Sequence, residues 1–179
     1  MRALNVILYS CIVSLLCACA ANPESGSGKC AGRAGNQILV TFDKPGNVNL
    51  DEGIRYYPEC PDPDVKLDVY YPDLPWGNYE QCKVPCLIAI HGGGWSMGNE
   101  KKFAMMAAYM ASKGYVVACI SYRLWPEYDW DCALFDAKRA LAWLKKNASR
   151  YFGDPEKIGV VGGSSGGAMS VQLAATTGT

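Results

Sequence analysis

The run Lys157 to Ala168, KIGVVGGSSGGA, constrains this chain more than any other stretch. Ile158, Val160 and Val161 form a short, β-branched apolar segment of the kind that fills a buried parallel strand. Ala168, Met169, Val171, Leu173, Ala174 and Ala175 follow at spacing compatible with a helix. Between them lie only Gly162, Gly163, Ser164, Ser165, Gly166 and Gly167, so the strand must turn into the helix through a corner that tolerates little more than glycine and serine. A serine at such a corner projects its hydroxyl above the sheet edge, and the helix start presents free N–H groups beside it. The pattern is a nucleophile elbow, and its ordered flanks argue against reading the Gly/Ser run as a flexible linker. Two frames of G-x-S-x-G fit, centred on Ser164 or on Ser165. Ser164 is the favoured nucleophile because it lies nearer the strand and leaves the Ser165 N–H to bind an oxyanion.

A second glycine run, His91-Gly92-Gly93-Gly94-Trp95, follows the apolar segment Cys86 to Ile90. Three glycines let the backbone approach a ligand closely and turn N–H groups toward one point, which is the requirement of an oxyanion hole. Gly93, Gly94 and Ser165 are the expected donors, each of a type worth about 3 to 4 kcal/mol of transition-state stabilisation. His91 is the only histidine. Its place at the root of the loop assigns it, with Gly92, to holding the glycines rather than to proton transfer or metal binding. Trp95 is expected to pack beneath the loop.

The rest of the chain supplies a scaffold. Gln37 to Phe42 and Asp51 to Tyr57, separated by Pro45-Gly46-Asn47, are expected to form an antiparallel edge. Val65 to Tyr71 alternates like a half-exposed strand. Cys86 to Ile90 and Tyr115 to Tyr122 are continuous apolar runs expected as buried parallel strands. Lys101 to Ser112 and Asp131 to Tyr151 read as helices, the second with Ala133, Leu134, Ala137, Ala140, Leu141 and Leu144 inward and Asp136, Lys138, Lys145 and Lys146 outward. This alternation specifies an α/β fold: a mostly parallel sheet with helices on both faces and an antiparallel N-terminal edge.

HGGGW and GGSSGG, in this order and each after an expected strand, resemble the α/β-hydrolase esterases of the hormone-sensitive-lipase and carboxylesterase type. Ser121-Tyr122-Arg123-Leu124-Trp125-Pro126-Glu127 is similar to that family's Y-R-L-A-P-E segment, with Trp125 in place of the usual alanine. Asp136-Ala137 and Asp154-Pro155-Glu156-Lys157-Ile158 also fall where the family has similar residues, and the likeness runs from Val65 to Thr179. The resemblance implies a carboxylic ester hydrolase acting through a covalent acyl-serine, with a serine peptidase or a non-catalytic binding module as alternatives on the same fold. It also implies a triad in the order Ser, Asp or Glu, His. The 15 residues after Ser164 contain neither acid nor histidine. Residues 36–179 are therefore expected to be the N-terminal part of an incomplete α/β-hydrolase domain, with little activity by itself.

Seventeen basic residues balance seventeen acidic ones, and no basic patch is interleaved with aromatics. Nucleic acid is an unsuited partner for such a surface. Residues 1–21 read as a signal peptide or lipoprotein leader, with Arg2 before an apolar stretch from Val6 to Leu16 and small residues after it. Leu16-Cys17-Ala18-Cys19 resembles a lipobox that would lipidate Cys19 and attach the protein to a membrane, and ordinary cleavage near Ala20-Ala21 is the competing outcome. Residues 22–35 form a Gly/Ser/Pro-rich tether. The expected location is secreted or cell-envelope. Of the cysteines beyond the leader, some are expected to pair, with Cys82 and Cys86 closing a small loop, whereas Cys119, inside an apolar run, is expected free. Their spacing calls for no metal, and nothing in the chain calls for a cofactor.

Overall fold

A computed structural model describes residues 46–73 and 83–176. The leader with Cys19, the tether with Cys30, the expected strand 37–42 and Cys82 lie outside them. Five strands, β1 (Val48–Ile54), β2 (Leu67–Pro72), β3 (Val84–Ile90), β4 (Val116–Ile120) and β5 (Gly153–Gly162), form one sheet in the order β1-β2-β4-β3-β5. β3 pairs in parallel with both β4 and β5, while β2 runs antiparallel to β1 and β4. All strands except β2 thus point the same way, and the C-terminal ends of β3 and β5 lie side by side.

Helix α1 (Ala104–Ser112) covers one face, where Ala104, Ala107, Ala108 and Ala111 pack on Tyr70, Ala89, Val117 and Cys119. Helices α2 (Trp130–Asn147) and α3 (Ser165–Thr176) cover the other, where Ala133, Ala137, Ala140, Leu144, Met169 and Leu173 meet Leu67, Val69, Ile88, Ile90, Val116, Ala118 and Ile120. The small alanines of α1 let its backbone approach the sheet closely. Burial of these side chains, at about 1.5–3 kcal/mol for each large aliphatic one, is the main force holding the layers together. Among the described residues no helix is long and apolar enough to cross a membrane.

The structure corrects several expectations. β1 begins at Val48 rather than Asp51, and its ladder partner is β2. β2 is buried along nearly its whole length rather than half-exposed, because helices lie on both faces of the sheet. Its polar member Asp68 has no solvent exposure, accepts from the Gly53 N–H at 2.8 Å and forms an ion pair with the Lys101 ammonium at 2.7 Å. Burial raises the Asp68 pKa, and the Lys101 contact opposes that shift. The first expected helix begins as a 3₁₀ turn, Glu100–Phe103, and becomes α1 only at Ala104. The second ends at Asn147 and continues as a 3₁₀ turn to Tyr151.

Asp136 is buried rather than outward-facing. Its carboxylate takes the Arg123 guanidinium through Nη2 at 2.8 Å and Nε at 2.9 Å, and also accepts the Arg123 backbone N–H at 2.9 Å. Cys119 is free and buried as expected, and Cys86 is also a free buried thiol; Cys82, its expected partner, lies outside the described residues. The Cys86 sulfur faces inward against β5, where a Cβ added to Gly153 would lie 2.4 Å from it. Burial pushes that thiol up to about 12.

Candidate active site

β5 ends at Gly162, α3 begins at Ser165, and the corner between them is closed by contacts that exclude side chains. A Cβ on Gly162 would lie 2.3 Å from the Gly166 carbonyl oxygen, and one on Gly166 would lie 2.1 Å from that of Ile90. Gly163 and Gly167 have more room, with nearest approaches of 3.5 Å and 3.2 Å. The two obligatory glycines are therefore those flanking Ser164 at i−2 and i+2. Ser164 has φ +52°, a left-handed conformation that costs a non-glycine residue about 1–2 kcal/mol, and its side chain is exposed. Ser165 is buried, and its hydroxyl lies beside Tyr122 without a hydrogen bond of regular geometry.

The glycine loop leaves the C-terminal end of β3 directly against this corner. A Cβ on Gly92 would sit 2.5 Å from the Gly163 oxygen and 3.1 Å from Ser164 Cβ. The loop then turns through residues with positive φ: Gly93 at 144°, Gly94 at 60°, Trp95 at 59° and Gly98 at 116°. Gly93 is the tightest, since a Cβ there would approach the Met97 oxygen to 1.8 Å. Its carbonyl faces into the loop and accepts from the N–H groups of Ser96 at 3.1 Å and Met97 at 3.2 Å. The N–H groups of Gly93, Gly94 and Ser165 donate to no acceptor among the described residues.

His91 lies inside the protein. Its ring is 1% exposed and stacks on Tyr122, with centroids 4.2 Å apart and planes inclined by 12°. Nδ1 lies 3.1 Å from the Gly92 oxygen, so it carries the proton and donates. Nε2 is buried without a hydrogen-bond partner among the described residues. Burial lowers the imidazole pKa to about 4, against the opposing bond to Gly92, so the ring is neutral near pH 7. Gly98 makes room for it, as a Cβ there would fall 2.5 Å from Nδ1. Trp95 packs on the larger core cluster, and its carbonyl accepts the Trp125 N–H at 2.8 Å.

Residues to which sequence reasoning gave no role at the site complete the surroundings. The Tyr122 hydroxyl donates to the His91 oxygen at 2.9 Å. Ser121 Oγ accepts the Glu100 N–H at 3.2 Å and donates to the Glu100 carboxylate, which is 3% exposed. Lys102 Nζ reaches the Gly92 oxygen at 3.1 Å. The sequence signals for Ser121 and Tyr122 were the segment Ser121 to Glu127 that resembles the esterases and their place at the end of an expected strand, which the structure ends at Ile120, where the ends of parallel strands converge. Glu100 carried no such signal, since a lone acid near a helix start is ordinarily solvated.

A family model described as BD-FAE matches residues 67–179. Among curated proteins, the chain is 43% identical over 94 residues to the "Probable carboxylic ester hydrolase LipM" of Mycobacterium tuberculosis, covering 52% of this chain and 22% of that protein. It is 34% identical over 112 residues to the "Carboxylesterase NlhH" of Mycobacterium tuberculosis, covering 62% of this chain and 34% of the relative. Among solved structures, Esterase B from Lactobacillus rhamnosis (HN001) superimposes with a TM-score of 0.66 at 29% identity, over 74% of this chain and 41% of that one. The chain thus spans between a fifth and a half of the length of the proteins it matches. With its sheet order, its helices on both faces and its glycine loop set against a strained serine corner, this chain belongs to the BD-FAE family and carries part of an α/β-hydrolase fold.

Proposed function

We propose that this chain supplies the nucleophile and the oxyanion hole of a serine carboxylic ester hydrolase. The observation that carries the reading is the pairing of an exposed Ser164 at φ +52° with three unbonded N–H groups, those of Gly93, Gly94 and Ser165, on the two segments that meet there. Ser164 Oγ attacks the ester carbonyl carbon as a general base removes its proton. The carbonyl oxygen becomes an oxyanion that accepts from the three N–H groups, and the alcohol leaves with a proton from the base. Water then attacks the acyl-serine by the same steps and releases the acid. His91 does not act as that base in this reading, because its ring is buried and Nδ1 is committed to the loop it supports. Residues 1–179 contain no other histidine, so these residues alone are expected to turn over esters poorly. The leader-like residues 1–21 favour an exported enzyme acting on small or polysaccharide-linked carboxylic esters outside the cytoplasm.

The test uses the full-length protein, a fluorophosphonate label and p-nitrophenyl acetate. Ser164→Ala should abolish labelling and lower kcat by about a thousandfold or more. Ser165→Ala, which removes only a hydroxyl, should still take the label. Labelling that survives in Ser164→Ala and is lost in Ser165→Ala would move the nucleophile. A wild-type protein that takes no label would make this a non-catalytic module.

A further inference from the structure

The oxyanion loop has an unusual mechanical problem. Residues 91–99 include four at positive φ, and the backbone N–H bonds within the turn, those of Ser96 and Met97, converge on one carbonyl, that of Gly93. Glycine-rich backbone of this kind has many conformations of similar energy, so its geometry must be imposed from outside. Gly92 lies against Ser164, so any shift of the loop changes the distance between the donors and the serine.

Both ends of the loop are gripped by two adjacent residues. Successive side chains beyond β4 point to opposite faces of the sheet. Tyr122 goes to the α2/α3 side, where its hydroxyl holds the His91 carbonyl at 2.9 Å and its ring stacks on the imidazole. That carbonyl also abuts the elbow helix, as a Cβ on Gly166 would lie 2.5 Å from it. Ser121 takes the exit of the loop, accepting the Glu100 N–H at 3.2 Å and donating to its buried carboxylate. Tyr122 and Ser121 are 2% and 5% exposed, so neither bond competes with water. The gripping segment is itself held: the Ser121 N–H donates to the Lys66 oxygen at 2.8 Å, the Ser121 oxygen accepts from Tyr56 Oη at 2.6 Å, and Arg123 is tied to Asp136. The Trp125 N–H to Trp95 oxygen bond adds a third point of contact in mid-loop.

We infer that Ser121 and Tyr122 are positioning residues that set the distance between the oxyanion donors and Ser164, acting through Glu100 and His91. This rests on the esterase reading above. A merely structural pair would affect how much protein folds, whereas a positioning pair affects each folded site.

The experiment compares full-length wild type with Tyr122→Phe and Ser121→Ala, counting folded sites by fluorophosphonate titration. Per titrated site, kcat for p-nitrophenyl acetate should fall roughly ten- to a hundredfold, the scale of a sub-ångström to one-ångström misplacement. KM should stay within about threefold, since the loss falls on the transition state. The inhibition constant of an alkyl trifluoromethyl ketone, whose serine adduct carries an oxyanion, should rise in parallel with the fall in kcat. The variants act on opposite ends of the loop, so either one carries the test if the other does not fold. A kcat per titrated site within about twofold of wild type overturns the inference. Absence of label in the wild type instead overturns the esterase reading itself.

Discussion

Ser164 sits in a conformation its residue type resists, and that strain can be weighed. A left-handed non-glycine residue costs about 1–2 kcal/mol. The Ser164 side chain is exposed and makes no hydrogen bond among the described residues, so removing it forfeits little packing. Ser164→Gly relieves the strain but adds freedom to the unfolded chain, at a cost of about 0.5–1 kcal/mol. Ser164→Ala removes the hydroxyl and keeps the strain. The glycine variant should therefore be more stable than the alanine variant by up to about 1.5 kcal/mol, which is a difference in Tm of up to roughly 6 °C for a domain of this size class. Both should be inactive, so catalysis and stability separate at a single residue. Differential scanning calorimetry of the two variants side by side makes the comparison. A glycine variant that melts below the alanine variant would refute the claim that the corner stores strain at this residue.

Two further outcomes follow from buried groups. Asp136→Ala leaves the Arg123 guanidinium, only 13% exposed, without its carboxylate, and should cost about 3–5 kcal/mol in urea unfolding. The double variant Arg123→Met/Asp136→Leu, which removes both charges, should be less destabilised than Asp136→Ala alone; a double variant that is worse would show that the pair contributes net stability. His91 titrates at about 4 in the folded state, below its ordinary 6.5, so unfolded chains bind a proton that folded chains refuse. Its contribution to stability is complete above pH 6.5 and is lost as the pH falls toward 4, amounting to ~3 kcal/mol across that window. His91→Gln should show a shallower loss of stability between pH 6.5 and 4, measured by denaturant midpoints; equal slopes would exclude His91 as the source.

How much of this was legible in the chain differs by residue, for reasons of range. KIGVVGGSSGGA and HGGGW are local signals: β-branched residues, glycines and a helix-compatible run act on their own neighbours, and the strand, corner and helix appeared where they were expected. Ser164 was favoured over Ser165 from its place nearer the strand, but its strain was not local: it is held at positive φ where Gly162 and Gly166 touch each other and the end of β3. Asp136 was misread as solvent-facing because a charge on a helix ordinarily faces water, and its partner lies 13 residues earlier on another element. The bond between Glu100 and Ser121, 21 residues apart, was silent in the same way.

What the sequence determined by itself is the alternation of strands and helices, the two glycine runs and the order in which they meet the sheet, all written in propensities that act over a few residues. Tertiary structure alone decided which serine is strained, that the single histidine is buried and neutral, and that Ser121 and Tyr122 reach both ends of the glycine loop. Those outcomes depend on desolvation and on contacts between segments 10 to 75 residues apart, which come into being only when β3, β4 and β5 lie side by side.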